Sequence, residues 1–123
     1  MIIDFWENNE GESPVLNFIG QQAPKVQAKI WKIIKFLEEE GLKLMGSPYL
    51  DLLHGFPIYE IRTQFQSIQY RVFFPSEEAE KEGVAYLLHG FIKNTSYTPN
   101  QEIIITLERI EVLRNKSKKI NKL

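Results

Sequence analysis

The 123-residue sequence predicts an α+β domain. Its small antiparallel sheet, with an edge open to mixed pairing, would pack against an N-terminal helical hairpin and a C-terminal helix. Three observations carry that prediction. Apolar residues recur at helical spacing in two stretches, before residue 41 and after residue 99. Between them lie three segments rich in Tyr, Phe, Ile and Val, whose side chains alternate along an extended chain. The links between these segments are short enough for an antiparallel meander. The order β-α-α-β-β-β-α places the helices on one face of the sheet.

Ile2 to Trp6 reads as a short apolar strand. Ser13-Pro14 then supplies a hydroxyl cap and a first helical residue whose missing N–H costs nothing. The helix from Pro14 to Gln21 would bury Val15, Leu16, Phe18 and Ile19. A second helix, Pro24 to Glu40, carries Val26, Ile30, Ile33 and Leu37 at the 3.6-residue period, with Lys25, Lys29, Lys32 and Lys35 on its other faces. Gly41 ends it. Sheet segments follow at 56–64, 68–75 and 83–92, joined by a turn at Gln66-Ser67 and an acidic loop from Pro75 to Gly83. Thr98-Pro99-Asn100-Gln101 has the form of a helix start. It leads into a helix over 99–115 with Ile103, Leu107 and Ile110 as its apolar stripe, and Asn115 to Leu123 is read as a frayed Lys-rich tail. The whole chain, 1–123, reads as one domain.

Composition narrows the chemistry. With 43% apolar residues the chain can build a core, and no run approaches the ~20 apolar residues that span a bilayer. Zero cysteines exclude disulfides, thiolate catalysis and Cys-based zinc sites. The short apolar N-terminus has no basic region ahead of it, unlike a signal peptide. These features favour the cytosol. The net charge of −1 is weak support for a nucleic-acid partner, but the charge is unevenly spread. Residues 1–24 hold four acids and no Lys or Arg, whereas 101–123 hold six basic side chains against three acids.

Period-2 alternation sorts the sheet residues by face. Tyr59, Ile61 and Phe65 share one side, and Glu60, Arg62 and Gln64 the other. In the next segment Ile68, Tyr70, Val72 and Phe74 oppose Gln69, Arg71 and Phe73. In the third, Val84, Tyr86 and Leu88 oppose Leu87, His89, Phe91 and Lys93. One face could therefore gather Arg62, Arg71, His89 and Lys93, a set suited to a phosphate-rich partner, with RNA the leading candidate. RNA scission needs no cofactor and no metal, because the neighbouring 2′-hydroxyl can serve as nucleophile. The protein must align it, move its proton, stabilise charge on the phosphorane and protonate the leaving oxygen.

Guanidinium groups fork onto two phosphate oxygens, so Arg62 and Arg71 fit as phosphate clamps. The alternative is a pair of strand arginines held by Glu60 or a helix carboxylate. His89 titrates near neutrality and could act as acid or base; the alternative is a structural histidine in an apolar run. Lys93 would lie near the mouth of the site, or be a solvated strand end. Tyr97 either contacts RNA or staples the entry to the last helix. Phe73 and Phe91 offer stacking surfaces, or a lid over a cavity.

Leu53-His54-Gly55, Ile58-Tyr59-Glu60-Ile61-Arg62, Tyr70-Arg71-Val72-Phe73-Phe74, and Leu88-His89-Gly90-Phe91-Ile92-Lys93-Asn94-Thr95 with Thr98-Pro99 together resemble the RelE/HigB-like toxins. Within the RelE/ParE superfamily the similarity is to the phage-derived, Gp-type branch. It extends over most of the chain, and its most specific element is the His-Gly-Phe-x-Lys-x-Thr stretch. The resemblance implies a RelE-like fold and the toxin of a type II toxin–antitoxin pair. Many relatives are ribosome-dependent endoribonucleases that cut mRNA and so stop translation. Family positions fall on Arg62, Arg71, Lys93 and Tyr97. The implied partners are mRNA on the ribosome and a cognate antitoxin, often of helix-turn-helix type, with no membrane. Glu60 departs from the pattern, standing where relatives commonly have a basic residue: it would act as base, or hold Arg62. The superfamily also contains gyrase poisons, which cut no RNA, and an inactive toxin-derived binding domain is a further alternative.

Overall fold

The structure, a computed structural model, describes residues 1–121. Its elements are β1 (Ile2–Phe5), α1 (Pro14–Gly20), α2 (Pro24–Glu40), β2 (Leu50–Leu52), β3 (Ile58–Phe65), β4 (Ile68–Pro75), α3 (Ser76–Glu82), β5 (Val84–Leu87), β6 (His89–Lys93) and α4 (Asn100–Asn121), with a single 3-10 turn at Gly41–Leu44. The fold is α+β, as the sequence predicts. Four strands form an antiparallel sheet in the order β2-β3-β4-β6, and β1 pairs in parallel with β5. Among the described residues no helix is long and apolar enough to cross a membrane.

Local chemistry explains the element ends. The Ser13 hydroxyl accepts the Leu16 amide at 3.2 Å, closing the first turn of α1. Gly41 ends α2 at φ +63°, a left-handed conformation that side chains resist. Gln66 and Ser67 both take positive φ in the two-residue turn between β3 and β4, matching a hairpin of primed type without its usual glycine.

The strand register bears out the predicted alternation in β3 and β4. Arg62 pairs with Arg71, Glu60 with Phe73, and Gln64 with Gln69, so all six share a face. On the other face Tyr59, Ile61, Tyr70, Val72 and Phe74 join Val15, Phe18, Ile19 and the apolar stripe of α2 in the larger core. Phe18 lies directly over Gly90; any side chain there would meet the ring at 2.4 Å.

The expectation that all helices pack on one face is corrected. A second core, separate from the first, gathers Ile58, Phe73, Leu88 and Phe91 beneath Ile103 and Ile110 of α4. The sheet is thus covered on both faces, α1 and α2 on one and α4 on the other. Each fully buried Phe, Leu or Ile contributes about 1.5–3 kcal/mol of apolar transfer, so the second layer is a substantial part of the stability.

Four further expectations change. The acidic loop 75–83 contains helix α3, with Glu77 and Glu78 in its first turn and Gly83 as its left-handed cap. The segment 83–92 is two strands, because Leu88 and His89 both oppose Phe73: the Leu88 amide donates to the Phe73 carbonyl at 2.9 Å, and His89 is the register partner. This β-bulge resets the alternation, so Leu87 enters the first core while His89 and Phe91 face α4. Leu16 and Leu107, expected to be buried, are exposed, and Thr106 takes the buried place in α4. The last helix, expected over 99–115, spans Asn100–Asn121; residues 122 and 123 of the predicted tail lie outside the described residues.

Candidate nucleic-acid interface

β3 outruns its partner β2, leaving its second half as a sheet edge. A cleft of about 440 Å³ wraps that edge. Its walls include Lys29, Lys32 and Phe36 of α2, Tyr49 before β2, Arg62 and Gln64 of β3, and Gln69 and Arg71 of β4. No histidine lines it among the described residues, and the carboxylates beside it, Glu60 and Asp51, are those that hold Arg62.

The two arginines converge through one acid. Glu60, 3% exposed, accepts the Arg62 Nε–H at 2.6 Å and lies 3.5 Å from Arg71 Nε. Arg62 also reaches Asp51 Oδ2 at 2.9 Å through its NH2, and its side chain remains 37% exposed. Arg71 is more than nine-tenths buried. One of its terminal nitrogens donates to the Tyr70 carbonyl at 3.2 Å and the other to Gln69 Oε1, but its Nε has no hydrogen-bond partner. At 3.5 Å the Glu60 contact is electrostatic and not a formed hydrogen bond. Burial pulls the Arg71 pKa down, Glu60 opposes that, and the nearby Arg62 charge adds to it. The guanidinium stays charged at neutral pH all the same.

His89 is placed elsewhere. Arg109 donates to its Nδ1 at 3.2 Å and to the Leu88 carbonyl at 2.8 Å. Because Arg can only donate, the ring proton sits on Nε2, which faces Glu102 Oε2 at 3.3 Å. Burial holds its pKa below the ordinary value and the Arg109 charge acts the same way, against the opposing pull of Glu102. The imidazole therefore belongs to the α4 contact and not to the cleft.

Phe73 and Phe91 are the clearest correction. They pack edge to face at 5.1 Å between centroids, at 0% and 7% exposure, inside the second core. No ring face is left for a base, because the alternation that gathered them with the arginines also turned them under α4. Lys93 is half-buried and stands beside Gln69 in register, without itself lining the cleft. Tyr97 is 70% exposed in the loop after β6, where its carbonyl accepts the Thr95 hydroxyl. Sequence reasoning missed Lys29, Lys32, Phe36 and Tyr49. The sequence shows the lysines at i, i+3 on the polar side of α2, but not that this side borders the β3 edge.

A small antiparallel sheet between a helical hairpin and a C-terminal helix, with arginines of its central strands meeting in one cleft, defines an α+β protein consistent with a small RelE-like fold. The chain belongs to the family described as phage derived protein Gp49-like (DUF891), which matches residues 17–111 and so includes every predicted site residue. That is a RelE/HigB-like toxin family, and such a toxin is generally paired with an antitoxin. No curated protein and no solved structure matches the chain.

Proposed function

We propose that this protein is the toxin of a type II toxin–antitoxin pair and a ribosome-dependent endoribonuclease that cuts mRNA. The observation that carries this reading is the meeting of Arg62 and Arg71 in one cleft, where the Arg62 side chain stays 37% exposed. In the reaction the 2′-oxygen attacks the adjacent phosphorus and gives its proton to water. The P–O5′ bond breaks, a 2′,3′-cyclic phosphate remains upstream, and the 5′-oxygen takes a proton from water. Arg62 holds the phosphate oxygens, and Arg71 adds its field from beneath. Glu60 fixes both guanidiniums, which gives it a positioning role. Lys93, in register with Gln69, neutralises the departing oxygen, and Tyr97 contacts the flanking nucleotide. His89 supports the α4 contact. Removing one such charge-stabilising donor costs about 10²–10³-fold in rate.

A second reading has its own support. Both arginines already hold carboxylates, and among the described residues no histidine lines the cleft to move a proton. A toxin that binds without cutting, gyrase-directed or catalytically silent, fits that feature. Primer extension on transcripts in a translating extract separates the two. Cleavage that leaves a 2′,3′-cyclic phosphate and disappears in Arg62→Ala supports the nuclease. Intact transcripts with growth arrest and DNA-damage signalling overturn it in favour of the gyrase reading.

A further inference from the structure

We propose that Lys29 and Lys32, backed by Phe36 and Tyr49, form a second subsite that grips single-stranded RNA in the same cleft as the phosphate held by Arg62. This rests on the reading of the cleft as an RNA site.

Charge balance within the cleft points to α2. Arg62 and Arg71 are matched by Glu60 and Asp51. Lys29 and Lys32 have no carboxylate within 4 Å among the described residues; the ion pair recorded on α2 joins Lys35 and Glu39. The lysines are held by contacts that leave their charge uncompensated. Lys29 Nζ lies 3.3 Å from the Gln64 carbonyl and 5.4 Å from the Phe65 ring centre, and Lys32 Nζ lies 5.8 Å from the Phe36 ring centre. Cation–π contacts at exposed sites are worth only about 0.5–1 kcal/mol, enough to orient an ammonium but not to neutralise it. Residues three apart on a helix are neighbours on its surface, so the pair presents two free charges side by side. The net positive charge of the cleft is therefore greatest on its helix side, beside the paired arginines of the strands.

The aromatic wall specifies the form of nucleic acid. Phe36 and Tyr49 lie 5.9 Å apart at 49°, and Tyr49 is 38% exposed. A base can stack on that ring only if it is splayed away from its neighbours, which a duplex forbids. The recessed cleft around the β3 edge reinforces the requirement for a single strand.

The test uses the full chain and a fluorescent ten-nucleotide strand with 2′-deoxy sugars, which binds but cannot be cut. Anisotropy across a salt series gives the affinity and its salt slope. The slope of log K against log salt should become shallower by about 0.7 for each lysine removed in Lys29→Gln and Lys32→Gln. Lys43→Gln, outside the cleft, should leave it unchanged. Tyr49→Ala should weaken binding by about 5- to 150-fold, the range set by loss of one base stack. Thermal melts of all variants confirm the fold. An unchanged slope in the Lys29/Lys32 double variant, or equal affinity for duplex and single strand, overturns the proposal. Lysine-dependent binding with no cleavage of any transcript would sink the nuclease reading alone. Cleavage by the double variant with unchanged KM would sink this inference alone.

Discussion

The Glu60 carboxylate lies 3.5 Å from the Arg71 guanidinium, and both side chains are more than nine-tenths buried. Withdrawing one partner from such a pair leaves an uncompensated charge in the interior, which costs more than the pair itself contributes. Glu60→Ala should therefore destabilise the protein by about 3–5 kcal/mol. Glu60→Ala with Arg71→Met should recover much of that loss, because the orphaned charge goes too. Urea unfolding of the three proteins checks this; a double variant as unstable as the single one would contradict it.

Asp51 and Arg62 form the exposed half of the same network, 2.9 Å apart. Ion pairs of this exposure contribute about 0–1 kcal/mol, so Asp51→Asn should barely move the unfolding midpoint. An incoming phosphate must displace that carboxylate. The variant should bind the uncleavable strand several-fold more tightly than the parent at low salt, with the gain shrinking as salt screens the charge. Weaker binding would mean that Asp51 orients Arg62 instead of competing for it.

His89 links stability to pH. Its folded pKa lies below the ordinary 6.5 because of burial and the Arg109 charge. The unfolded chain therefore takes up a proton first as pH falls. Stability from this residue is fully present above about pH 6.5 and declines below it, by at most about 1.4 kcal/mol per pH unit, until the folded state is protonated as well. His89→Gln, which cannot titrate, should flatten that decline between pH 6.5 and 5. Denaturant midpoints across this range give the answer, and an equal slope in both proteins would assign the decline to other groups.

The Gln66–Ser67 turn stores avoidable strain. Two consecutive side-chain-bearing residues hold positive φ, at 49° and 69°. Left-handed backbone costs such residues about 1–2 kcal/mol each, and glycine adopts it freely. Ser67→Gly should stabilise the fold by roughly 1 kcal/mol after the glycine's greater freedom in the unfolded chain is offset. A lowered melting temperature would show that Ser67 makes a compensating contact.

Much of the architecture was legible in the residues. Alternation in β3 and β4 put Arg62 and Arg71 on one face because both strands are regular and each has one strongly apolar side. The same rule failed after residue 84, since Leu87-Leu88-His89 is apolar enough to suit either face and a bulge leaves no mark in such a run. Phe73 and Phe91 carried an unread signal: two large aromatics opposite the main core require a second covering layer, which α4 provides. Helix α3 was readable in miniature, with acids in its first turn, Lys81 in its last and Gly83 after it. The cleft lysines could not be assigned from α2 alone, because only the tertiary fold decides which solvated side of a helix borders a sheet edge.

The bulge at Leu88 also sets how this chain tolerates length changes. β5 is fastened to β1 and β6 to β4, so both flanks of that residue are anchored to different neighbours. Deleting a single position there gives neither strand room to slide. Removing Leu88 joins Leu87 directly to His89, which keeps their opposite faces but takes the Leu88 side chain out of the second core and pulls the two anchored strands toward each other. A frame-preserving loss of one codon at 88 should thus be tolerated far worse than one in the loop 94–99.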